Sequence, residues 1–310
     1  MPRRAFIIKT ARGRLGNKLL PVIAIEAMCL ELGATLTNLT LGGDAAHFNR
    51  FTPDIGSRPI DRLAWRLHRW AQLSGVVGTT VKASNGHPFV HLPPTADDAH
   101  VRLARWPLFF IGHRFYNPIG VHAHHAALVG RLRPVDSISA RVASFAADLP
   151  RDRLAVALHI RQGDFAEYKD GLLHTPLDRY RDATHAFADR FADLTPQFHV
   201  FSNIEIDPAI LPGLDLIVHH GEPVEDLFRI ASCDLVISTA STFGLCAALL
   251  GNTCLYALNT HFHDALMPNG TTPRHSASTL DEVEAYLSRA NPIGARAELD
   301  SPAIARAVIA

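Results

Sequence analysis

The residues best equipped for chemistry follow an apolar run, Leu154 to Leu158, that predicts a buried strand. Directly after this run comes His159-Ile160-Arg161-Gln162-Gly163-Asp164. Open α/β sheets bind their ligands at the carboxyl ends of strands, so this segment stands where a site is expected. Arg161 supplies a permanent forked cation that suits a diphosphate, and Asp164 can orient that guanidinium or accept a hydrogen bond from a sugar hydroxyl. A salt bridge that ties the loop is the alternative.

Two further segments place glycines or hydroxyls between a predicted strand and a predicted helix. In Gly13-Arg14-Leu15-Gly16-Asn17-Lys18 the glycines allow close backbone approach to a ligand, and amides at a helix N-terminus attract anions. An ordinary turn is the alternative, and the absence of GxGxxG argues against a dinucleotide. In Ser238-Thr239-Ala240-Ser241-Thr242-Phe243-Gly244 four hydroxyls can cap the helix or hold phosphate oxygens.

Two other polar residues admit a structural and a functional interpretation. Asp226, in Glu225-Asp226-Leu227, suits the first turn of a helix, or it reaches a ribose hydroxyl or a base edge. His159 braces the arginine loop through a hydrogen bond or transfers a proton. Of the eighteen histidines, those near 122–125, 219–220 and 261–264 form clusters without three convergent ligands, so no metal site is expected.

The elements that must position these residues alternate along the chain. The pattern predicts a strand at 5–8, a turn at 10–16, a helix at 17–32 and a strand at 35–41. From 155 onward it predicts strands at 155–160, 198–202, 215–219, 235–238 and 253–257, and helices at 177–192, 224–231, 242–250 and from 279, the last opened by a capping box. This alternation predicts an α/β fold with a mostly parallel sheet. The stretch from 42 to 134 has no readable order.

Composition narrows the class of protein. Thirty basic residues balance thirty acidic ones, so nothing in the net charge draws the 310-residue chain to nucleic acid. The four cysteines form no CxxC pair, which predicts buried thiols. The sequence has no apolar run long enough for a membrane span, and a cytoplasmic protein is expected. A helix at 60–71 with three arginines packs on the core or, alternatively, makes a weak peripheral membrane contact.

Taken in order, these segments resemble the α-1,2-fucosyltransferases and, more distantly, the Nod-factor, α-1,6 and protein O-fucosyltransferases. The family's Gly-Gly-Leu-Gly-Asn-Gln is similar to 13–18, and its His-x-Arg-Arg-Gly-Asp to 159–164. Its Phe-Ser-Asp is similar to 201–203, its Glu-Asp-Leu to 225–227 and its Asn-Ser-Thr-Phe-Ser to 240–244. The chain departs from the pattern at Gln162, where the family has a second arginine, and at Asn203, where it has aspartate. Leu245 and Cys246 replace its tryptophans.

The resemblance implies two Rossmann-like domains facing across a cleft, the GT-B arrangement. The expected bounds are an acceptor-side domain at 1–145, a nucleotide-sugar-binding domain at 146–295, and a tail at 296–310 that packs back on the first domain. The resemblance also implies inverting, metal-independent transfer of fucose from GDP-fucose to a glycan or glycolipid hydroxyl. The alternatives are another nucleotide-sugar donor, or a catalytically silent homologue that binds nucleotide or sugar, which the two departures suggest.

The resemblance also assigns roles to residues. Arg161 would neutralise the departing diphosphate, with Asp164 and Glu167 as the other catalytic candidates. Asp164 is the more readily paired with an arginine, and Asp170 is an alternative to Glu167 as the base. The remaining donor-binding candidates are Gly16, Asn17, His159, Gly163, Ser202, Asn203, Asp226, Ser241, Thr242 and Phe243.

Overall fold

The computed structural model describes residues 4–9, 14–38, 41–49, 79–83, 90–92, 108–112, 114–163, 171, 174–239, 241–259 and 276–293. The chain divides into two compact units, Met1–Asp136 and Ser137–Ala310. The expected domain bounds at 145 and 295, and the facing arrangement across a cleft, stay predictions. The helix at 60–71 and the tail at 296–310 lie outside the described residues.

The first unit contains a parallel sheet and a buried helix. Its described strands are β1 (Arg4–Lys9), β2 (Thr35–Asn38), β3 (Thr79–Ala83), β4 (Val90–His91), β5 (Leu108–Gly112) and β6 (Phe115–Tyr116). Its described helices are α1 (Leu15–Glu31), α2 (Pro118–Ala123) and α3 (His125–Arg131). Strands pair in the order β2-β1-β5-β3, all parallel, and β4 pairs with β6.

Helix α1 is buried on nearly all its faces, which explains its almost continuous apolar sequence. Its one fully buried carboxylate, Glu26, pairs with Arg131 Nη1 of α3 at 2.5 Å, because a charge in the interior needs a counter-charge. The helix begins at Leu15, so the predicted turn at 10–16 is wrong for its last two residues. Gly16 lies inside the helix and not before it.

The second unit is built on a six-stranded sheet in which every described pairing is parallel. The strands are β7 (Ala155–Ile160), β8 (Gln197–Ser202), β9 (Leu216–His219), β10 (Leu235–Ser238), β11 (Cys254–Ala257) and β12 (Ser276–Ala277), in the spatial order β12-β11-β10-β7-β8-β9. The helices are α4 (Asp136–Asp148), α5 (Leu177–Arg190), α6 (Pro223–Ala231), α7 (Thr242–Gly251) and α8 (Leu280–Ala290). Every residue of β7 is buried, which accounts for its unbroken apolar run.

The sequence periodicity predicted this second unit well. Each strand and helix expected after residue 155 is present, with ends that differ by one or two residues. The capping box is confirmed, since Thr279 Oγ1 accepts from the Glu282 amide and Glu282 Oε2 accepts from the Thr279 amide, both at 3.3 Å. The α/β class with parallel sheets is therefore confirmed. All four cysteines are free and buried, as predicted.

Candidate functional site

The strand order of the second unit defines one point at which the chain reverses direction across the sheet. Numbered from β7, the spatial order is 6-5-4-1-2-3, so the first strand, β7, lies beside the fourth, β10. The chain continues from β7 to β8 and from β10 to β11, which lie in opposite directions along the sheet. A crevice outside the carboxyl ends of β7 and β10 is where such sheets bind ligands. The two segments predicted to hold a diphosphate, after β7 and after β10, thus lie side by side at this reversal point of the sheet.

His159 and Ser238 join the two strand ends. They are register partners, and Ser238 Oγ lies 2.9 Å from His159 Nδ1 and donates to the His159 carbonyl at 3.2 Å. Burial, together with the charge of Arg161, lowers the pKa of His159 to about 3. A neutral imidazole of such low basicity is a poor proton acceptor at physiological pH. The two contacts with Ser238, together with this low pKa, favour the bracing interpretation of His159 over proton transfer.

The N-terminus of α7 lies at the same reversal point. Ser241 caps the helix, because its Oγ accepts from the Phe243 amide at 3.2 Å, and the Phe243 ring lies 5.1 Å from the His159 ring. The first turn of α7 contains no acidic side chain, so no carboxylate in that turn offsets the positive end of the helix dipole. Thr242 is half-buried at the first helical position. A helix N-terminus without acidic side chains is a place at which an anion can bind.

Gly244 allows this close approach of α7 to the sheet. A Cβ atom on Gly244 would lie 3.0 Å from Ser238 Oγ and 3.7 Å from His159 Nδ1. Any larger residue would push the helix N-terminus away from the strand ends. The glycine was visible in the sequence at the end of the hydroxyl-rich segment, but its role depends on a contact that only the fold creates.

The turn after β7 holds half-buried Arg161. The Arg161 amide donates to the Tyr180 hydroxyl at 3.2 Å, and Gly163 has a φ of +69°, a conformation that favours glycine. From β8, Asn203 makes two hydrogen bonds to the main chain of Gln162. Ser202, half-buried beside it, accepts from the Ile204 amide through its hydroxyl at 3.2 Å. The structure therefore brings Arg161, Gly163, Ser202 and Asn203 to one edge of the sheet.

Asp226 lies in the first turn of α6, the helix that follows β9 in the chain and packs against α7. Its neighbour Glu225 is buried and pairs with Arg141 at 2.5 Å and with Arg229, which marks Glu225 as structural. Burial raises the pKa of Asp226 to about 6, against the opposing charge of Arg229. Strand spacing of about 4.8 Å places the β10, β7, β8 and β9 ends along roughly 14 Å, the scale of a nucleotide and not of a single phosphate.

The first unit carries the remaining predicted donor residues. Gly16 is buried and Asn17 half-buried in the first turn of α1, where the Arg14 side chain makes no capping hydrogen bond. Lys18 is held by Asp44, with Nζ 2.5 Å from Oδ2. Gly13, Asp164 and Glu167 lie outside the described residues, so their roles stay predictions.

Within the described ranges, no three His, Cys, Asp or Glu side chains gather in a metal-holding group. His199 and His219 form a hydrogen-bonded pair at 3.0 Å and stack on each other, and His219 also stacks on Phe201. Phe145 packs edge-on against both histidines. The cluster 261–264 lies outside those ranges. None of the described helices has both the length and the apolar character that a membrane crossing requires.

The solved structures to which this chain is similar share little sequence with it and have TM-scores below 0.5. No protein-family model and no curated protein sequence matches the chain. Its structure is similar to a mutant of FUT1 from Arabidopsis thaliana in complex with GDP (TM-score 0.49, 13% identity, 83% of this chain and 70% of that chain). It is also similar to fucosyltransferase NodZ from Bradyrhizobium (0.46, 13%, 81% and 94%) and to a family 9 glycosyl transferase from Veillonella parvula (0.42, 12%, 93% and 89%).

Proposed function

We propose that this protein is a glycosyltransferase that transfers fucose from GDP-fucose to a hydroxyl of a glycan or glycolipid, with inversion and without a metal ion. The observation that carries the proposal is the juxtaposition at the strand-order reversal of the second unit. The turn with Arg161 and the capped N-terminus of α7 stand there side by side, joined by the hydrogen bond between His159 and Ser238. The fucose and GDP assignments rest on the motif resemblance of 159–164, 201–203 and 225–227.

In the proposed reaction the acceptor oxygen attacks the anomeric carbon from the face opposite the GDP. The bond between that carbon and the β-phosphate oxygen breaks, and GDP leaves with the electron pair. Arg161 and the first amides of α7 stabilise the charge that develops on the diphosphate, which is the largest electrostatic demand of the step. Asp226 accepts hydrogen bonds from the ribose or the base, and Asp164 or Glu167 receives the acceptor proton.

The distribution of side chains along the sheet edge is consistent with this placement of the donor. Arg161 follows β7, the capped helix α7 follows β10, and the buried carboxylate of Asp226 lies in α6, which follows β9 and packs against α7. A ligand that carries both anionic groups and hydrogen-bond donors matches this set of side chains. A nucleoside diphosphate has this composition.

Thermal unfolding in the presence of EDTA tests the proposal. A ligand that binds only the folded state raises the melting temperature, so GDP and GDP-fucose should raise it and UDP and ADP should not. Product formation with GDP-fucose and a panel of glycan acceptors then distinguishes a transferase from a silent binding protein. Stabilisation by UDP or ADP alone would assign another donor, and no stabilisation by any nucleotide would contradict the proposal.

A further inference from the structure

The two departures from the fucosyltransferase pattern, Gln162 and Asn203, contact each other. The Gln162 amide donates to Asn203 Oδ1 at 2.9 Å, and Asn203 Nδ2 donates to the Gln162 carbonyl at 3.1 Å. The last register pair of β7 and β8 is Ile160 with Ser202. The Asn203 side chain thus continues the strand pairing beyond its end, offering one donor and one acceptor as a peptide group would.

An aspartate in place of Asn203 cannot make this pair of bonds. An ionised carboxylate only accepts hydrogen bonds, so one of its oxygens would face the Gln162 carbonyl oxygen. The carboxamide is therefore the side chain that this arrangement requires. The turn that it holds is tight, because a Cβ atom on Gly163 would lie 3.2 Å from Asn203 Nδ2.

The Gln162 side chain ties the same turn to two other elements. Gln162 is buried, and its Nε2 donates to the Thr175 carbonyl at 2.7 Å. Thr175 Oγ1 lies 2.7 Å from Thr239 Oγ1, just beyond β10. Thr239 hydrogen bonds to the Tyr180 hydroxyl, which in turn accepts from the Arg161 amide. This series of hydrogen bonds thus begins at Gln162 and ends at the neighbouring Arg161.

This network suits a neutral amide at residue 162. Among the described residues, the Gln162 side chain bonds to the Thr175 carbonyl, and the Thr175 hydroxyl bonds to the Thr239 hydroxyl. All three groups are neutral. An arginine at residue 162 would bury its guanidinium against these groups, none of which is a carboxylate. A buried charge needs a partner. Gln162 and Asn203 therefore hold the same turn, Asn203 through the main chain of residue 162 and Gln162 through its own side chain.

We infer that Gln162 and Asn203 are a matched pair of positioning residues, which fix the Arg161–Gly163 turn so that Arg161 faces the diphosphate beside the N-terminus of α7. The inference rests on the proposed function for the identity of the ligand, but the fixing of the turn does not. In this chain the hydrogen-bonded amides hold the turn that carries Arg161.

The test uses Asn203→Asp and Asn203→Ala, with Asn291→Asp as the matched control. Asn291 is the C-cap of α8, so its exchange changes the same chemical group away from the sheet edge. Asn203→Asp should weaken GDP binding about tenfold, the order expected when a hydrogen-bond donor is lost and a carbonyl is left unpaired. In an Arg161→Ala background the same exchange should have little further effect, because residues that act through one another are not additive.

The pH profile separates positioning from a general structural role. Protonated aspartic acid both donates and accepts, so the defect of Asn203→Asp relative to wild type should shrink as the pH falls toward about 4, near the ordinary pKa of Asp. The defect of Asn203→Ala should not shrink. Equal losses at all pH values for both variants, or additive losses with Arg161→Ala, would overturn the inference.

Hydrogen exchange gives a readout that needs no ligand. Amides of 161–163 should exchange faster in Asn203→Asp than in wild type or in Asn291→Asp, because the turn has lost a tether. Unchanged exchange there would overturn the positioning role whatever the ligand is. If wild type binds no GDP while exchange responds as expected, the donor assignment fails and the positioning of the turn stands.

Discussion

Gly244→Ala tests the packing that brings α7 to the strand ends. The new Cβ would lie 3.0 Å from Ser238 Oγ and 3.1 Å from Ser238 Cβ, closer than ordinary van der Waals contact. Ser238 is fully buried and its hydroxyl is bonded to His159, so it cannot turn away without breaking that bond. The helix N-terminus must move instead.

The magnitude follows from two opposing terms. Overpacking of a tight contact costs about 1–3 kcal/mol, and alanine in place of glycine favours a helix by at most about 1 kcal/mol. We expect a net destabilisation of about 1–2 kcal/mol. With a denaturant slope of about 2 kcal/mol per molar urea, the midpoint should fall by roughly 0.5–1 M. Circular dichroism at increasing urea concentration measures this shift.

Gly130→Ala is the matched control. Gly130 is exposed in α3, and a Cβ there would have no atom within 4 Å. Only the helix-propensity term applies, so this variant should be more stable than wild type by up to about 1 kcal/mol. If Gly244→Ala gains stability as Gly130→Ala does, the close approach of α7 to Ser238 is refuted.

Three other predictions follow from the site and the core. Arg161→Ala should weaken GDP binding about 10- to 100-fold, as for the loss of a charge-assisted hydrogen bond. Arg153→Ala removes an ion pair to Asp215 at the opposite ends of the strands and should leave GDP binding unchanged. Calorimetric titration measures both. Burial raises the pKa of Asp226 from 3.8 to about 6, so the folded state retains a proton that the unfolded chain releases. Stability should therefore fall as the pH rises from about 4 through 6. Asp226→Asn should remove this part of the pH dependence of urea unfolding. Buried Cys246 and Cys254, whose thiol pKa values burial raises, should react with Ellman's reagent only in denaturant; rapid reaction of the native protein at either would contradict their burial.

Much of the second unit was predictable from local pattern. The run 154–158 is apolar at every residue because both faces of β7 are covered, and the helices after it carry their own start signals, such as the capping box at Thr279. The stretch 42–134 was unreadable since its described elements are short, for example β4 and β6 with two residues each. Such elements depend on their neighbours and have too few residues to show a period.

The site was predictable only in part. Arg161 and the segment Ser241–Phe243 were found because a cation, and hydroxyls before an apolar helix, stand out as residue types. Thr175 gave no signal, for a lone buried threonine before a proline is unremarkable in sequence. Gln162 stood out only as a departure from a pattern, and Asn203 as a departure and a donor-binding candidate. Their mutual bonding was invisible because 41 residues separate them.

The sequence by itself determined the α/β alternation, the strand ends that carry polar residues, and the absence of a dominant net charge, because these depend on residue type and on short-range periodicity. Only the tertiary structure decided that β7 lies between β10 and β8, and hence that the loops after 160 and 238 lie side by side at one reversal point of the sheet. Strand order depends on which apolar faces pack together across the whole unit, and residues distant in the chain acquire a shared role only when that packing is complete.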